Sequence, residues 1–170
     1  MRICALILIS LVCFTSCKSS KRANVITKKE RSADTSPTSL EENELAEKVV
    51  KEALKFNGVR YKYGGTTKKG MDCSGLVQTS FKSEDINLPR TTADLSKYGN
   101  WVDLKAVQKG DLLFFATRKN SRKVNHVGIV TKVNNEEVEF IHSSTSKGVI
   151  RSQLQERYWY FAFVQARRVL

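Results

Sequence analysis

Past residue 100 the hydrophobic pattern of this chain changes period, and that change restricts its fold more than any single residue does. Before it, apolar positions recur at helical spacing. Leu45, Ala46, Val49, Val50, Ala53 and Leu54 form one stripe, and Leu76, Val77 and Phe81 form a second. After it, short apolar or alternating runs dominate: Asp111 to Ala116, His126 to Thr131, Val138 to His142, Gly148 to Arg151 and Tyr160 to Val169. Lys109-Gly110 and Asn134-Asn135 supply turns between them. Helices followed by strands predict an α+β domain with an antiparallel sheet packed against the helices. With 41% hydrophobic residues the chain has enough apolar material for one core.

Ser39-Leu40-Glu41-Glu42 has capping-box spacing, so the first helix is expected from Leu40 to about Phe56, ending near Gly58. Asp72 is a plausible N-cap for a second helix, which places Cys73 in its first turn. The capping role is by itself a sufficient reason for Asp72. Leu88-Pro89-Arg90-Thr91-Thr92 leads to a short helix ending near Gly99.

Residues 1–16 read as a signal peptide: Arg2 precedes the twelve-residue apolar run Ile3 to Phe14, too short for a membrane span. Thr15-Ser16-Cys17 resembles a bacterial lipobox, which implies lipidation of Cys17 and a membrane anchor. Phe14 departs from the aliphatic residue usual there. Residues 17–39 are then a lipidated Cys and polar tether, about 25 Å across as a flexible coil. Residues 40–170 form the domain.

Removing the leader takes away Cys4 and Cys13, and a lipid on Cys17 leaves Cys73 as the single free thiol. An exported chain with one thiol makes no internal disulfide, so that thiol is either inert or reactive. A helix start favours thiolate. The chain has two histidines, His126 opening one strand and His142 closing the next. Paired through the Asn134-Asn135 turn, the two strands bring both imidazoles to one end of a hairpin. A thiol with an imidazole neighbour is expected to form a thiolate-imidazolium pair, with a third polar group orienting the ring.

The formal charge is +12, from 29 Lys and Arg against 17 Asp and Glu. About +7 of it falls on residues 40–170. No recognition helix or stacking motif accompanies it, so nucleic acid is not expected as a partner, and a solvated basic face or an anionic wall polymer is.

Six segments, in this order, resemble the NlpC-type cell-wall cysteine peptidases. They are Tyr61-x-Tyr63-Gly64-Gly65, Asp72-Cys73-Ser74-Gly75, Leu88-Pro89-Arg90, Gly110-Asp111-Leu112-x-Phe114-Phe115, His126-Val127-Gly128-Ile129 and Ile141-His142. Thr66-Thr67-Lys68-Lys69-Gly70, Ser143-Ser144-Thr145-Ser146 and the terminal Ala166-Arg167-Arg168-Val169-Leu170 resemble its lipoprotein murein endopeptidases in particular. The resemblance implies a papain-like fold and hydrolysis of peptidoglycan stem peptides, at the D,D cross-link or between D-Glu and the diamino acid. It makes Cys73 the nucleophile, His126 the base and proton donor, and His142 the residue that orients His126. Tyr61 would aid the oxyanion or substrate, or only pack. Asp72 and Ser74 match positions that hold a free stem-peptide amine in some relatives; Arg90 is left outside the site. No cofactor or metal is implied. The setting is a monomer in a bacterial envelope, lipid-anchored to the outer membrane and facing the periplasm. The alternatives are a catalytically idle wall-binding lipoprotein and a papain-like amidase.

Overall fold

The computed structural model describes residues 39–135 and 137–170. The expected leader, the tether and Cys17 lie outside these residues, apart from Ser39 at the tether's end. Helix α1 (Ser39–Leu54) carries Glu41 and Glu42 in its first turn and buries Ala46, Val49, Val50 and Ala53. The chain then turns through Gly58, whose φ of 84° suits a residue without Cβ. A small hairpin, β1 (Thr66–Thr67) and β2 (Gly70–Met71), leads to α2 (Cys73–Lys82). The Asp72 carboxylate accepts from the Gly75 amide at 2.7 Å, which caps α2 and fixes Cys73 as its first residue.

The short helix expected before Gly99 is a single turn, α3 (Thr92–Leu95). Beyond it lie β3 (Asn100–Val102), a 3-10 turn at Leu104–Ala106, β4 (Leu112–Phe115), β5 (His126–Asn134), β6 (Glu137–Ser144), β7 (Gly148–Gln153), α4 (Arg157–Ala162) and β8 (Phe163–Arg168). Six strands form one antiparallel sheet in the order β3-β8-β4-β5-β6-β7. Both its faces are covered. Leu112, Phe114, Val127, Ile129 and Ile141 pack with α1 and α2, while Leu113, Phe115, Val130 and Phe140 pack with Trp159 of α4.

The α+β expectation holds, and the sheet packs on the helix that bears Cys73. One expected strand is corrected: Tyr160 to Ala162 close a helix, and β8 begins at Phe163. Trp159 and Ala162, three residues apart, are buried, whereas Tyr158, Tyr160 and Phe161 are exposed, which is helical spacing hidden in an apolar run.

The β5-β6 hairpin contains the detail that positions the site. Near the turn Asn134 pairs with Glu137 and Val133 with Val138, but farther along Val130 pairs with Phe140 and Ile129 with Ile141. Thr131 is therefore an extra residue, a β-bulge on β5. Without it the register would set His142 opposite Ile129, on the other face of the sheet from His126, because side chains alternate along a strand. With it, both histidines share the face that carries Val130, Phe140 and Trp159. The Thr131 hydroxyl donates to Glu139 Oε1 at 2.7 Å across the bulge.

Candidate active site

Cys73 starts α2, so its thiol lies where the helix presents unpaired backbone amides. It contacts Thr92 Oγ1 at 3.6 Å and is reached by the backbone amides of Val127 and Ser74. Burial is the largest influence and pushes the thiol's pKa up; Thr92 and the two amides pull the other way, and Asp72 adds to the rise. The resting group is a neutral thiol. The thiolate expected from the helix start is thus corrected, because desolvation of the charged form outweighs the donors around it.

The histidines are joined to each other. His126 Nε2 lies 3.0 Å from His142 Nδ1, and His142 Nε2 lies 3.2 Å from Ser152 Oγ on β7. Their rings sit in an aromatic cage, with Trp159 stacked on His126 at 5.5 Å and edge-on to His142 at 4.6 Å, and Phe140 5.1 Å from His142. Burial lowers His126 to about 4. Burial, with a smaller repulsion from His126, lowers His142 to about 3. Both shifts favour neutral rings at pH 7 and disfavour a thiolate-imidazolium pair at rest.

Cys73 packs with the layer beneath α2, and Val127, whose amide reaches the thiol, directly follows His126. Cys73 and His126 make no direct hydrogen bond: the thiol's partners are Thr92 and amides, and His126 is bonded to His142. His126 Nδ1 has no partner among the described residues, which leaves it available as a base. Catalytic hydrogen bonds are often long before substrate binds.

Gly128 makes the shared histidine face possible. A Cβ there would come within 2.6 Å of Phe140 Cδ2, 2.9 Å of Ile141 O and 3.2 Å of His142 Cβ. Gly128→Ala is expected to cost about 1–3 kcal/mol and to push His142 off His126. Thermal melting and kcat should therefore fall together, and an unchanged kcat in a folded variant would contradict this placement.

The groove beside Cys73, about 350 Å³, is lined by Tyr61, Tyr63, Asp72, Cys73, Arg90 and Asn125 among others. Tyr61 stays a phenol: burial first, then the neighbouring Cys73 and Asp72, raise its pKa. Asp72 is occupied. Its carboxylate accepts from Arg90 Nη1 and Nη2 at 3.0 and 2.8 Å, from the amides of Gly64 and Gly75, and from Ser74 Oγ. Burial alone would raise its pKa, but Arg90 and the two amides hold it below the usual carboxylate range. Five donors fill the acceptor capacity of a carboxylate, so a substrate ammonium would have to displace Arg90. Arg90 also donates to Ser74 Oγ at 2.7 Å. The structure thus brings Arg90 into the groove and makes Asp72 a helix cap tied to it.

Two residues went unnoticed in sequence. Ser152 carried no signal beyond alternation on β7, where it pairs with Phe140. Thr92 was visible only as part of a helix start. Among the described residues no group of three His, Cys, Asp or Glu side chains is placed to hold a metal ion.

Comparison with known proteins assigns the chain to a family. The profile of the NlpC/P60 family matches residues 58–168. The chain belongs to the NlpC/P60 family. Its NlpC/P60 domain is 43% identical over 114 residues to the probable endopeptidase NlpC homolog of Haemophilus influenzae, covering 66% of this chain and 57% of that one. It is 39% identical over 128 residues to the murein DD-endopeptidase MepS/murein LD-carboxypeptidase of Escherichia coli, covering 75% and 64% respectively. The chain thus spans less than two thirds of the length of either relative. Among solved structures, an NlpC/P60 family protein from Bacillus cereus superposes with a TM-score of 0.67 at 32% identity, over 74% of this chain and 40% of that one.

His142 is fully buried and His126 half-buried, and the low pKa of both has a consequence for stability. As pH falls below about 6.5 the unfolded chain takes up protons that the folded imidazoles refuse until about 4 and 3, so folding is favoured less at each step down. The melting temperature should drop by about 5 °C or more between pH 6.5 and 4. Nitrogen NMR should show both rings neutral at pH 6. A ring titrating near 6.5 would contradict the burial described.

Proposed function

We propose that this protein is a cysteine-type peptidoglycan endopeptidase that hydrolyses a peptide bond of cell-wall stem peptides. The observation that carries the reading is the Cys73 thiol at a helix start, beside a His126-His142-Ser152 relay whose one unpartnered ring nitrogen is His126 Nδ1. The name of the Escherichia coli relative favours the D,D cross-link as the bond cut.

For His126 to accept a proton at Nδ1, its Nε2 must carry the ring hydrogen and donate it to His142 Nδ1. His142 must then be protonated at Nε2 and donate to Ser152 Oγ. With that tautomer set, substrate entering the groove meets a neutral thiol. As Sγ attacks the carbonyl carbon, the thiol proton passes to His126 Nδ1. The tetrahedral oxyanion is held by the Ser74 amide at the start of α2 and by the Tyr61 hydroxyl. Collapse breaks the C–N bond, and His126 returns its proton to the leaving amine, which leaves a thioester on Cys73. His126 then takes a proton from water as it attacks the thioester, and the acid leaves with the thiol restored. Because Asp72 is engaged by Arg90, the groove presents a guanidinium rather than a free carboxylate, which suits an internal bond or a substrate carboxylate better than a free amine.

The same proposal includes lipidation of Cys17 and residence at the outer membrane. Among the described residues no helix is long and apolar enough to cross a membrane. Labelled palmitate should enter the wild-type chain and not Cys17→Ala.

The test of function is digestion of purified peptidoglycan with mass spectrometry of the released fragments. Conversion of cross-linked to uncross-linked muropeptides is expected. Fragments cut between sugar and peptide would instead indicate an amidase, and no release between pH 5 and 9 would overturn the reading.

A further inference from the structure

A second depression, wide open to solvent, lies apart from the catalytic groove. It measures about 650 Å³, against about 350 Å³ for the groove beside Cys73, and lies between the segment after β4 and helix α4. Its walls carry Arg118, Lys119 and Arg157 together with the exposed rings of Tyr158 and Phe161. None of the three basic side chains has an ion-pair partner among the described residues, and no acidic side chain lines the concavity. Aromatic faces bordered by uncompensated cations match a ligand that has apolar ring faces and carboxylates.

The site is held in shape and held next to the catalytic groove. Arg122 donates to Phe161 O at 3.2 Å and Phe163 O at 3.0 Å, which ties the loop to the end of α4. Thr117 lines the concavity and Asn125 lines the groove, and the two are joined by reciprocal hydrogen bonds of 2.7 and 2.8 Å. One such pair separates the two depressions, and Trp159, between Tyr158 and Tyr160, packs on His126. A polymer with its peptide in the groove can therefore cross Thr117 and enter the concavity.

We propose that this concavity is a second binding site, for the uncut saccharide-peptide continuation of the cell-wall strand. Sugar rings stack on Tyr158 and Phe161, and stem-peptide carboxylates pair with Arg118, Lys119 and Arg157. This rests on the proposed function for the identity of the polymer. Contacts remote from the scissile bond raise kcat/KM on the polymer without changing chemistry on a fragment too short to reach them.

The test uses two variants on exposed residues, Arg118→Glu/Arg157→Glu and Tyr158→Ala/Phe161→Ala. Each should digest intact peptidoglycan about tenfold more slowly, while turnover of a soluble stem-peptide dimer stays at the wild-type rate. Binding is read separately from catalysis by sedimenting the full chain carrying Cys17→Ala and Cys73→Ala with purified peptidoglycan. The same substitutions added to that chain should reduce co-sedimentation about tenfold. Unchanged co-sedimentation overturns the proposal. So does unchanged co-sedimentation combined with lost adsorption to vesicles of one part phosphatidylglycerol to three parts phosphatidylethanolamine, which would assign the patch to membrane. Should the wild type digest nothing while co-sedimentation still depends on these residues, the catalytic reading fails and the binding site stands.

Discussion

Cys73→Ala is expected to reduce release of peptidoglycan fragments by at least about 10³-fold while the domain stays folded. The side chain loses one sulfur atom at a partly buried position, and the cap that fixes the start of α2 is Asp72, which the substitution leaves untouched. Melting within a few degrees of wild type would show that the loss is chemical. The size follows from the site: the hydroxyls nearest the thiol are engaged, Ser74 with Asp72 and Arg90 and Thr92 with Cys73 itself, so neither replaces the nucleophile. Fragment release by Cys73→Ala at the wild-type rate would remove the thiol from the mechanism.

The second large effect is expected from His142→Ala, which should lower kcat by about 10²- to 10³-fold and destabilise the domain by about 2–4 kcal/mol. Both losses come from one arrangement. The fully buried imidazole fills the space between Phe140 and Trp159, and its two nitrogens satisfy His126 and Ser152. Removing it leaves a cavity, an orphaned buried hydroxyl and a His126 free to rotate or to take the wrong tautomer. His142→Gln separates the two roles, since an amide oxygen can accept from His126 Nε2 as the imidazole does. Part of kcat should return with it, whereas a purely structural His142 would restore melting without restoring turnover. Wild-type kcat in His142→Ala would refute the orienting role.

The start of α2 was readable because the residues that make it are local: Asp72 caps Gly75 three residues on, and the apolar stripe follows at once. The shared hairpin end of His126 and His142 was readable for a similar reason, since Asn134-Asn135 marks the turn and strand lengths do the rest. That the two rings share a face was not readable. It depends on one extra residue, Thr131, and nothing in the local sequence distinguishes a bulge there from regular pairing. The protonation state was misread because helix-start and neighbour effects follow from sequence, whereas burial depends on what packs above the site. Trp159 does much of that packing, from a helix that resembled the beginning of a strand. Arg90 was left outside the site because its partner Asp72 lies 18 residues earlier, and only the fold brings them together. β3 was missed for the same reason: three residues whose pairing partner is the last strand of the chain give no pattern of their own.

The proposed mechanism passes through a thioester at Cys73, and the direct measurement is an acid quench during turnover of a soluble stem-peptide dimer, followed by mass spectrometry of the digested protein. The peptide containing Cys73 should carry the mass of the acyl half of the substrate, through a bond that hydroxylamine cleaves. The adduct should disappear from Cys73→Ala and diminish in His142→Ala. Continued turnover with unmodified Cys73 throughout, or an adduct on any other residue, would contradict the mechanism.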